Sequence, residues 1–289
     1  MDHKRGEGVM LPRCCISGYV GAVAASDPLR VLLRLCPVLL CALLLSGCLQ
    51  SPVPPYPAYR RTAGPPKPSE VIVRRVAYFD GARTIHHEVG PGETISLVAR
   101  MYGVSPESIC RENGLRPNEA LRSGQILTIR DVRSVRYVLY LYRTRPWSYI
   151  IIHHTATYDG DATTIQWAHL ARGFWNGLGY DFVIDNGTLG KGDGVIEMSP
   201  RWLRQEDGAH CKADDMNQRG IGIALVGNFD RDRPTRYQLE SLAYLIFILR
   251  HYYHIPPSHV MGHGQVPGAR TDCPGKLFPM NFLRWAAQR

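Results

Sequence analysis

Two uninterrupted apolar runs constrain the fold of this chain more than any other feature. Residues 148–152 (SYIII) and 221–226 (IGIALV) have the length and composition of strands covered on both faces. Helical spacing follows in residues 236–251, where leucine and isoleucine recur every three or four positions. The other predicted elements are a helix at 163–172, a strand at 180–184 and a helix at 281–288. The pattern predicts an α/β domain, which we assign to residues 132–289.

Residues 1–47 have the features of a signal peptide. Arg30 and Arg34 flank the start of an apolar core, whose uninterrupted part, residues 35–45, is shorter than the roughly 20 residues of a spanning helix. The core ends in Leu45-Ser-Gly-Cys48, which resembles the lipobox of bacterial lipoproteins. This resemblance implies that Cys48 is lipidated and becomes the new N-terminus. An ordinary signal peptide or an anchor helix is the alternative.

Residues 48–85 are predicted to be a lipid-anchored linker. Seven prolines lie between Pro52 and Pro68, and they exclude a helix or a central strand there in favour of an extended, semi-rigid spacer. We therefore expect an exported, membrane-anchored lipoprotein that faces the periplasm. The outer membrane is favoured because Leu49 is not the aspartate that retains some lipoproteins on an inner membrane.

Charge and cysteine content narrow the classes of partner and fold. The formal net charge of +9 favours a polyanionic partner or serves solubility alone. The sequence contains no recognisable nucleic-acid-binding module and no run of Lys or Arg longer than a pair, so we do not expect nucleic acid. Four of the eight cysteines precede Cys48, and no Cys-x-x-Cys pair occurs, which argues against a disulfide framework or a zinc ribbon.

Residues 86–131 are predicted to form a small βααβ unit. Residues 87–89 favour a strand, and Thr94 can cap a helix that ends at Gly103. Ser105 followed by proline favours the start of a second helix. A turn and a closing strand follow within residues 121–129.

This unit resembles a LysM module. The resemblance is carried by the following motifs: His87-x-Val89, Pro91-Gly-Glu-Thr94, Ala99-x-x-Tyr-Gly-Val104, Asn113-Gly-Leu115 and Gly124-Gln-x-Leu-x-Ile129. It implies binding of N-acetylglucosamine-containing glycans such as peptidoglycan, in a groove between two turns. The implied groove residues are Gly92, Glu93, Thr94 and Ile95 on one side, with Arg116, Pro117 and Asn118 on the other. Gly92 is equally explained as a residue that shapes its turn.

Three potential metal ligands follow the predicted elements of the α/β domain. His153 comes directly after the first apolar run, His263 lies between two glycines, and Cys273 precedes a Pro-Gly pair. Catalytic zinc sites use three protein ligands of these types and leave a fourth position for water. Spacing alone does not decide whether these three residues bind a metal. A histidine after a buried strand is often a hydrogen-bonded boundary residue, and a lone cysteine is often a small core residue.

Residues 147–289 resemble the zinc N-acetylmuramoyl-L-alanine amidases, a family that includes phage amidases and animal peptidoglycan recognition proteins. Five segments carry the resemblance in the order of the family: 151–157 (IIHHTAT), 179–184 (GYDFVI), 208–211 (GAHC), 220–229 (GIGIALVGNF) and 262–275 (GHGQVPGARTDCPG). It implies a Zn²⁺ ion held by His153, His263 and Cys273. The expected fold class is thus α/β: an amidase domain with a central mixed β-sheet flanked by helices, preceded by the small LysM domain.

The same resemblance implies roles for further residues. Tyr180 corresponds to a tyrosine that assists catalysis close to the metal, and Thr271 to a residue that contacts the developing oxyanion. His210 corresponds to a histidine lining the substrate groove, whereas Cys211 is expected to be a buried thiol. One branch of the family carries a glutamate base where this chain has Ala224, so the chain departs from that branch.

The function implied is peptidoglycan hydrolysis, with cleavage of the amide bond between N-acetylmuramic acid and the L-alanine of the stem peptide. Two alternatives remain. The chain could be a non-catalytic wall-recognition protein, as are relatives without the cysteine, or a structural lipoprotein that links membrane and wall through LysM.

Overall fold

The structure, a computed structural model, describes residues 65–189 and 191–289. The predicted signal segment, Cys48 and the linker up to residue 64 lie outside the described residues. The first unit is βααβ, as predicted, and consists of strand β1 (Glu70–Glu88), helices α1 (Ile95–Tyr102) and α2 (Pro106–Asn113), and strand β2 (Ile126–Leu141). Thr94 and Ser105 cap the two helices, each accepting a hydrogen bond from a backbone N–H of the first turn.

The linker extends less far than the sequence analysis proposed. β1 begins at Glu70 and pairs antiparallel with β2 from Glu70 opposite Leu141 to Glu88 opposite Ile126. Residues 70–85, assigned to the linker, are therefore part of a long two-stranded ribbon. The physical reason is that the prolines end at Pro68, after which β-branched and aromatic residues favour a strand. Val71 and Ile72 pack against the core of the second domain.

The second domain is built on a five-stranded mixed sheet, as the predicted fold class requires. Its strands have the order β5-β4-β6-β3-β7, and every neighbouring pair is parallel except β4 with β5. The strands are β3 (Tyr149–His154), β4 (Phe182–Ile184), β5 (Ile196–Met198), β6 (Gly220–Leu225) and β7 (Val260–Gly262). Strands β5 and β7 are not among the predicted elements, because each is only three residues long and shows no periodicity.

Helices cover the sheet. They are α3 (Ala162–Ala171), α4 (Pro200–Arg204), α5 (Met216–Arg219), α6 (Arg236–Tyr253) and α7 (Met280–Gln288). The apolar stripe of α6 packs in the same core cluster as Ile150 and Ile152 of β3. Within the described part of the chain, no helix is both long enough and apolar enough to cross a bilayer.

The alternation of side chains along β3 positions the site. Ile150 and Ile152 belong to the main core, while Ile151 belongs to a separate cluster with Cys211 and Met216. His153, two residues after Ile151, therefore lies on the opposite face from His154. The His154 Nδ1 accepts a hydrogen bond from the Phe229 backbone N–H at 3.1 Å.

Candidate functional site

Three side chains of the ligand types that bind zinc converge at one edge of the sheet. They are His153 at the end of β3, His263 directly after β7, and Cys273, and their ligand atoms all lie within 4.8 Å of one another. Since β3 and β7 are neighbouring parallel strands, their carboxyl ends meet at the same edge and bring the two histidines together. The structure thus places all three predicted metal ligands in one cluster.

The donor set fits a zinc ion. Two imidazoles and a thiol are ligands that zinc prefers, and ordinary Zn–N and Zn–S bonds in a tetrahedron place nitrogen and sulfur about 3.5 Å apart. The Cys273 Sγ lies 3.7 Å from the His153 Nδ1. His153 is 1% exposed, whereas His263 and Cys273 are half-buried, so the cluster is reachable from one side.

The protein environment keeps both histidines in the neutral form that binds metals. Burial, helped by the neighbouring His210 and His263, lowers the pKa of His153 far below its usual range. Burial also lowers the pKa of His263. Burial raises the pKa of the Cys273 thiol to about 12, and a bound cation favours the thiolate instead.

Tyr180 and Thr271 lie beside the cluster, as predicted. The Tyr180 ring centroid is 5.1 Å from that of His153, and burial together with Cys273 raises its pKa. Tyr180 is therefore a neutral hydroxyl that can donate a hydrogen bond. Thr271 is exposed, and its Oγ1 accepts a hydrogen bond from the Cys273 backbone N–H at 3.2 Å. This contact leaves the Thr271 hydroxyl proton available to a substrate.

His210 does not line a groove, contrary to the sequence-based prediction. Its side chain is 0% exposed, and its Nδ1 lies 3.1 Å from the His153 Nε2, on the side of that ring away from Cys273. The reason is that the ring is enclosed by the backbone at Gly208 and Gly222, where an added Cβ would lie 2.5 Å from the His210 Cδ2. No local sequence pattern links these two glycines to His210.

Cys211 and Ala224 are both buried beside the cluster. Cys211 is 2% exposed, its Sγ contacts the Ala213 carbonyl at 3.7 Å, and it lies outside the ligand cluster. Ala224 is paired with His153 across β3 and β6 and is fully buried. Its methyl group offers no proton acceptor.

The predicted glycan residues of the LysM module fall into two groups. Thr94 and Asn118 are exposed, although the Thr94 Oγ1 also accepts the Leu97 backbone N–H at 3.2 Å. Gly92 adopts a φ of +81°, and an added Cβ would lie 3.0 Å from the Leu203 Cδ1. Gly92 is itself exposed, but the backbone conformation of its turn requires a glycine, and Leu203 of the second domain lies beside it.

The Glu93 carboxylate is used within the protein, which corrects its assignment to glycan binding. It lies 2.7 Å from the His87 Nε2, accepts the Gly90 backbone N–H at 2.7 Å and pairs with the Lys191 ammonium at 3.4 Å. Burial would raise the pKa of Glu93, but Lys191, His87 and Gly90 outweigh it and lower the pKa to about 2. Local sequence patterns do not reveal this ion pair, because Lys191 lies 98 positions from Glu93 along the chain.

Comparison with known proteins identifies both domains. The family model of N-acetylmuramoyl-L-alanine amidases matches residues 143–276, and that of the LysM domain matches residues 87–130. A peptidoglycan recognition protein of Trichoplusia ni is 31% identical over 154 residues, which cover 50% of this chain and 78% of the relative. The chain belongs to the family that comprises the N-acetylmuramoyl-L-alanine amidases and the peptidoglycan recognition proteins. The range matched by the amidase family model includes His153, His263 and Cys273.

Other relatives in the family differ in how much of their length this chain covers. Peptidoglycan-recognition protein 2 of Holotrichia diomphalia is 32% identical over 156 residues, with 50% of this chain and 75% of the relative covered. An N-acetylmuramoyl-L-alanine amidase of Sus scrofa is 30% identical over 156 residues, and the chain covers 23% of it. Among solved structures, the N-acetylmuramoyl-L-alanine amidase LysC of Clostridium intestinale is 30% identical with a TM-score of 0.43, covering 50% of this chain and 87% of that one.

Proposed function

We propose that this protein is a zinc-dependent amidase that cleaves the bond between N-acetylmuramic acid and L-alanine in peptidoglycan. The observation that carries the proposal is the convergence of His153, His263 and Cys273 within 4.8 Å, with Tyr180 and Thr271 beside them. Membership of the amidase family supports the same reaction.

The residues of the chain have separate tasks in this reaction. A zinc ion held by the three ligands would supply activation of water near neutral pH and polarisation of the amide carbonyl. Thr271 donates a hydrogen bond to the oxygen on which negative charge develops, a contribution worth about 3–4 kcal/mol in well-placed examples. Tyr180, protonated because its pKa is raised, donates to the same region. Because Ala224 stands where one branch of the family has a glutamate, the side chain at that position cannot act as a general base.

Non-catalytic recognition of peptidoglycan is the alternative, because some relatives are named as recognition proteins. The complete His-His-Cys cluster favours the enzyme, since a binder has no need of three converging ligands. The deciding experiment is mass spectrometry of muropeptides after incubation with purified, zinc-loaded protein. Release of free stem peptide supports hydrolysis, whereas binding of intact muropeptide without products would leave only recognition.

The LysM module and the N-terminal segment extend the proposal. We assign glycan binding to the exposed side of the module, at Thr94 and Asn118. We further propose that Cys48 is lipidated and holds the protein on a membrane facing the periplasm, with the outer membrane favoured. The support for the anchor is the lipobox-like sequence and the proline-rich tether that follows it.

A further inference from the structure

The two ring nitrogens of His153 face different partners. Its Nδ1 lies 3.7 Å from the Cys273 Sγ, within the proposed metal cluster, and its Nε2 lies 3.1 Å from the His210 Nδ1. A neutral imidazole carries one proton, and the nitrogen that binds a metal must present its lone pair. The proton of His153 therefore belongs on Nε2, from which it is donated to His210.

The hydrogen bonds of His210 follow from that assignment. Because its Nδ1 accepts from His153, its own proton is on Nε2, which lies 3.2 Å from the Gly220 carbonyl oxygen. A carbonyl oxygen can only accept, so it agrees with a proton on that nitrogen. The Asp181 Oδ2 lies 3.9 Å from the same His210 Nε2. The hydrogen bonds thus run in one direction, from His153 through His210 to the backbone of β6.

The surroundings of His210 hold its ring in place. Its backbone N–H donates to the Asn217 Oδ1 at 2.8 Å, as does that of Cys211. Gly222 leaves room for the ring where a Cβ would lie 2.5 Å from it. The Asp181 Oδ2 accepts the Gly222 backbone N–H at 2.8 Å, which fixes the strand that carries this glycine. A ring enclosed in this way has a single orientation to offer His153.

We propose that His210 is a positioning residue, which fixes the tautomer and orientation of His153 so that Nδ1 faces the metal. The inference rests on the proposed metal site and assigns no contact between His210 and substrate. Partners of this kind typically contribute 10- to 100-fold to metal affinity.

A matched pair of variants isolates the hydrogen bond from the packing. Asparagine places an acceptor oxygen near the position of the His210 Nδ1, and leucine has almost the same shape without an acceptor. We expect His210→Leu to weaken zinc affinity about 10- to 100-fold, measured by chelator competition on the full chain. We expect His210→Asn to recover most of this affinity. The thermal midpoint of the zinc-free protein, recorded for both variants, reports any loss of packing.

The outcomes separate this inference from the proposed function. If the parent protein binds no zinc, both the proposed function and the positioning role of His210 are wrong. If the parent binds zinc and releases stem peptide but His210→Leu keeps the parental affinity, only the positioning role is wrong. Equal loss of affinity in both variants, in step with lower stability, would likewise show that His210 only packs.

A measurement on the unsubstituted protein keeps the inference testable if the leucine variant does not fold. Long-range ¹H–¹⁵N correlation spectra of the zinc-loaded chain distinguish the two neutral tautomers of each histidine. We expect the proton of His210 on Nε2 and that of His153 on Nε2. A proton on the His210 Nδ1 would overturn the inference, because that nitrogen could then accept nothing from His153.

Discussion

The Lys191 ammonium lies 3.4 Å from the Glu93 carboxylate and also pairs with Glu197, which joins the LysM module to the amidase domain through a buried ion network. All three side chains are less than 10% exposed. Glu197 also accepts the Ala162 backbone N–H at 2.7 Å, at the start of α3. In addition, Leu97 of α1 belongs to the main core of the second domain. The module is therefore packed against the catalytic domain by a shared core, so point variants are better tests of its role than deletion.

Substitution of Cys273 tests the metal site. Cys273→Ala should lose most of the zinc and all hydrolysis, because two imidazoles hold the ion weakly. Cys273→Asp should retain part of both, since a carboxylate oxygen is a zinc ligand at about 2.0–2.2 Å. Cys273→Ser should resemble the alanine variant, because a neutral hydroxyl is a poor ligand. Elemental analysis paired with muropeptide release gives the order, and a full zinc equivalent with normal turnover in the alanine variant would place the site elsewhere.

Removal of the buried lysine should destabilise the joined domains. Lys191→Met leaves Glu93 and Glu197 facing each other without the cation, and breaking a buried pair in this way typically costs about 3 kcal/mol or more. Urea unfolding measures the loss. The exposed pair of Arg236 with Glu240 offers a control, since solvent screens an ion pair at the surface and Arg236→Met should leave the urea midpoint nearly unchanged. Equal effects of the two substitutions would contradict the network's role.

The depressed pKa of Glu93 predicts an acid-sensitive contribution to stability. Its pKa is lowered from 4.5 to about 2 in the folded protein, so the folded state binds fewer protons than the unfolded state between these values. Glu93 thus contributes stability that is fully present above about pH 4.5 and is lost as the pH falls towards 2. Glu93→Gln should flatten the loss of stability over this range. The urea midpoint of the chelator-treated protein between pH 2 and 6 shows whether the two curves converge in acid.

Asn118 offers a test of glycan binding by the LysM module. It adopts a φ of +63°, which glycine tolerates, so Asn118→Gly removes the side-chain amide with little backbone strain. We expect weaker sedimentation with intact sacculi and unchanged turnover of a small soluble muropeptide. Glu107→Ala, on the exposed first turn of α2, is the control. Parental sedimentation of the glycine variant would exclude Asn118 from the binding surface.

Lipidation is tested at Cys48. Cys48→Ala should release the protein from membranes, and the parent should carry an acyl mass on its N-terminal cysteine. Membrane fractionation and mass spectrometry of the purified protein check both. Membrane partition equal to that of the parent, with no acyl group on the parent, would refute the anchor.

Local sequence patterns predict a helix or strand correctly where its signal lies in neighbouring residues. The capped helices α1 and α2, the apolar strands β3 and β6, and the stripe on α6 all follow from residues within a turn or two of one another. The short strands β5 and β7 were missed because three residues carry no period, and their pairing depends on the strands beside them. The start of β1 was not predicted, because residues 70–85 follow directly on the proline-rich segment and were assigned to the same linker.

The sequence by itself determined which side chains could bind a metal, and the resemblance singled out His153, His263 and Cys273 among them. Only the tertiary structure decided where the other polar groups point. His210 lies behind His153 because Gly208 and Gly222 leave a space for its ring, and Glu93 is directed inward because Lys191 of the other domain meets it. Both outcomes depend on contacts between residues distant along the chain, and burial makes an unpaired polar group costly enough to fix them.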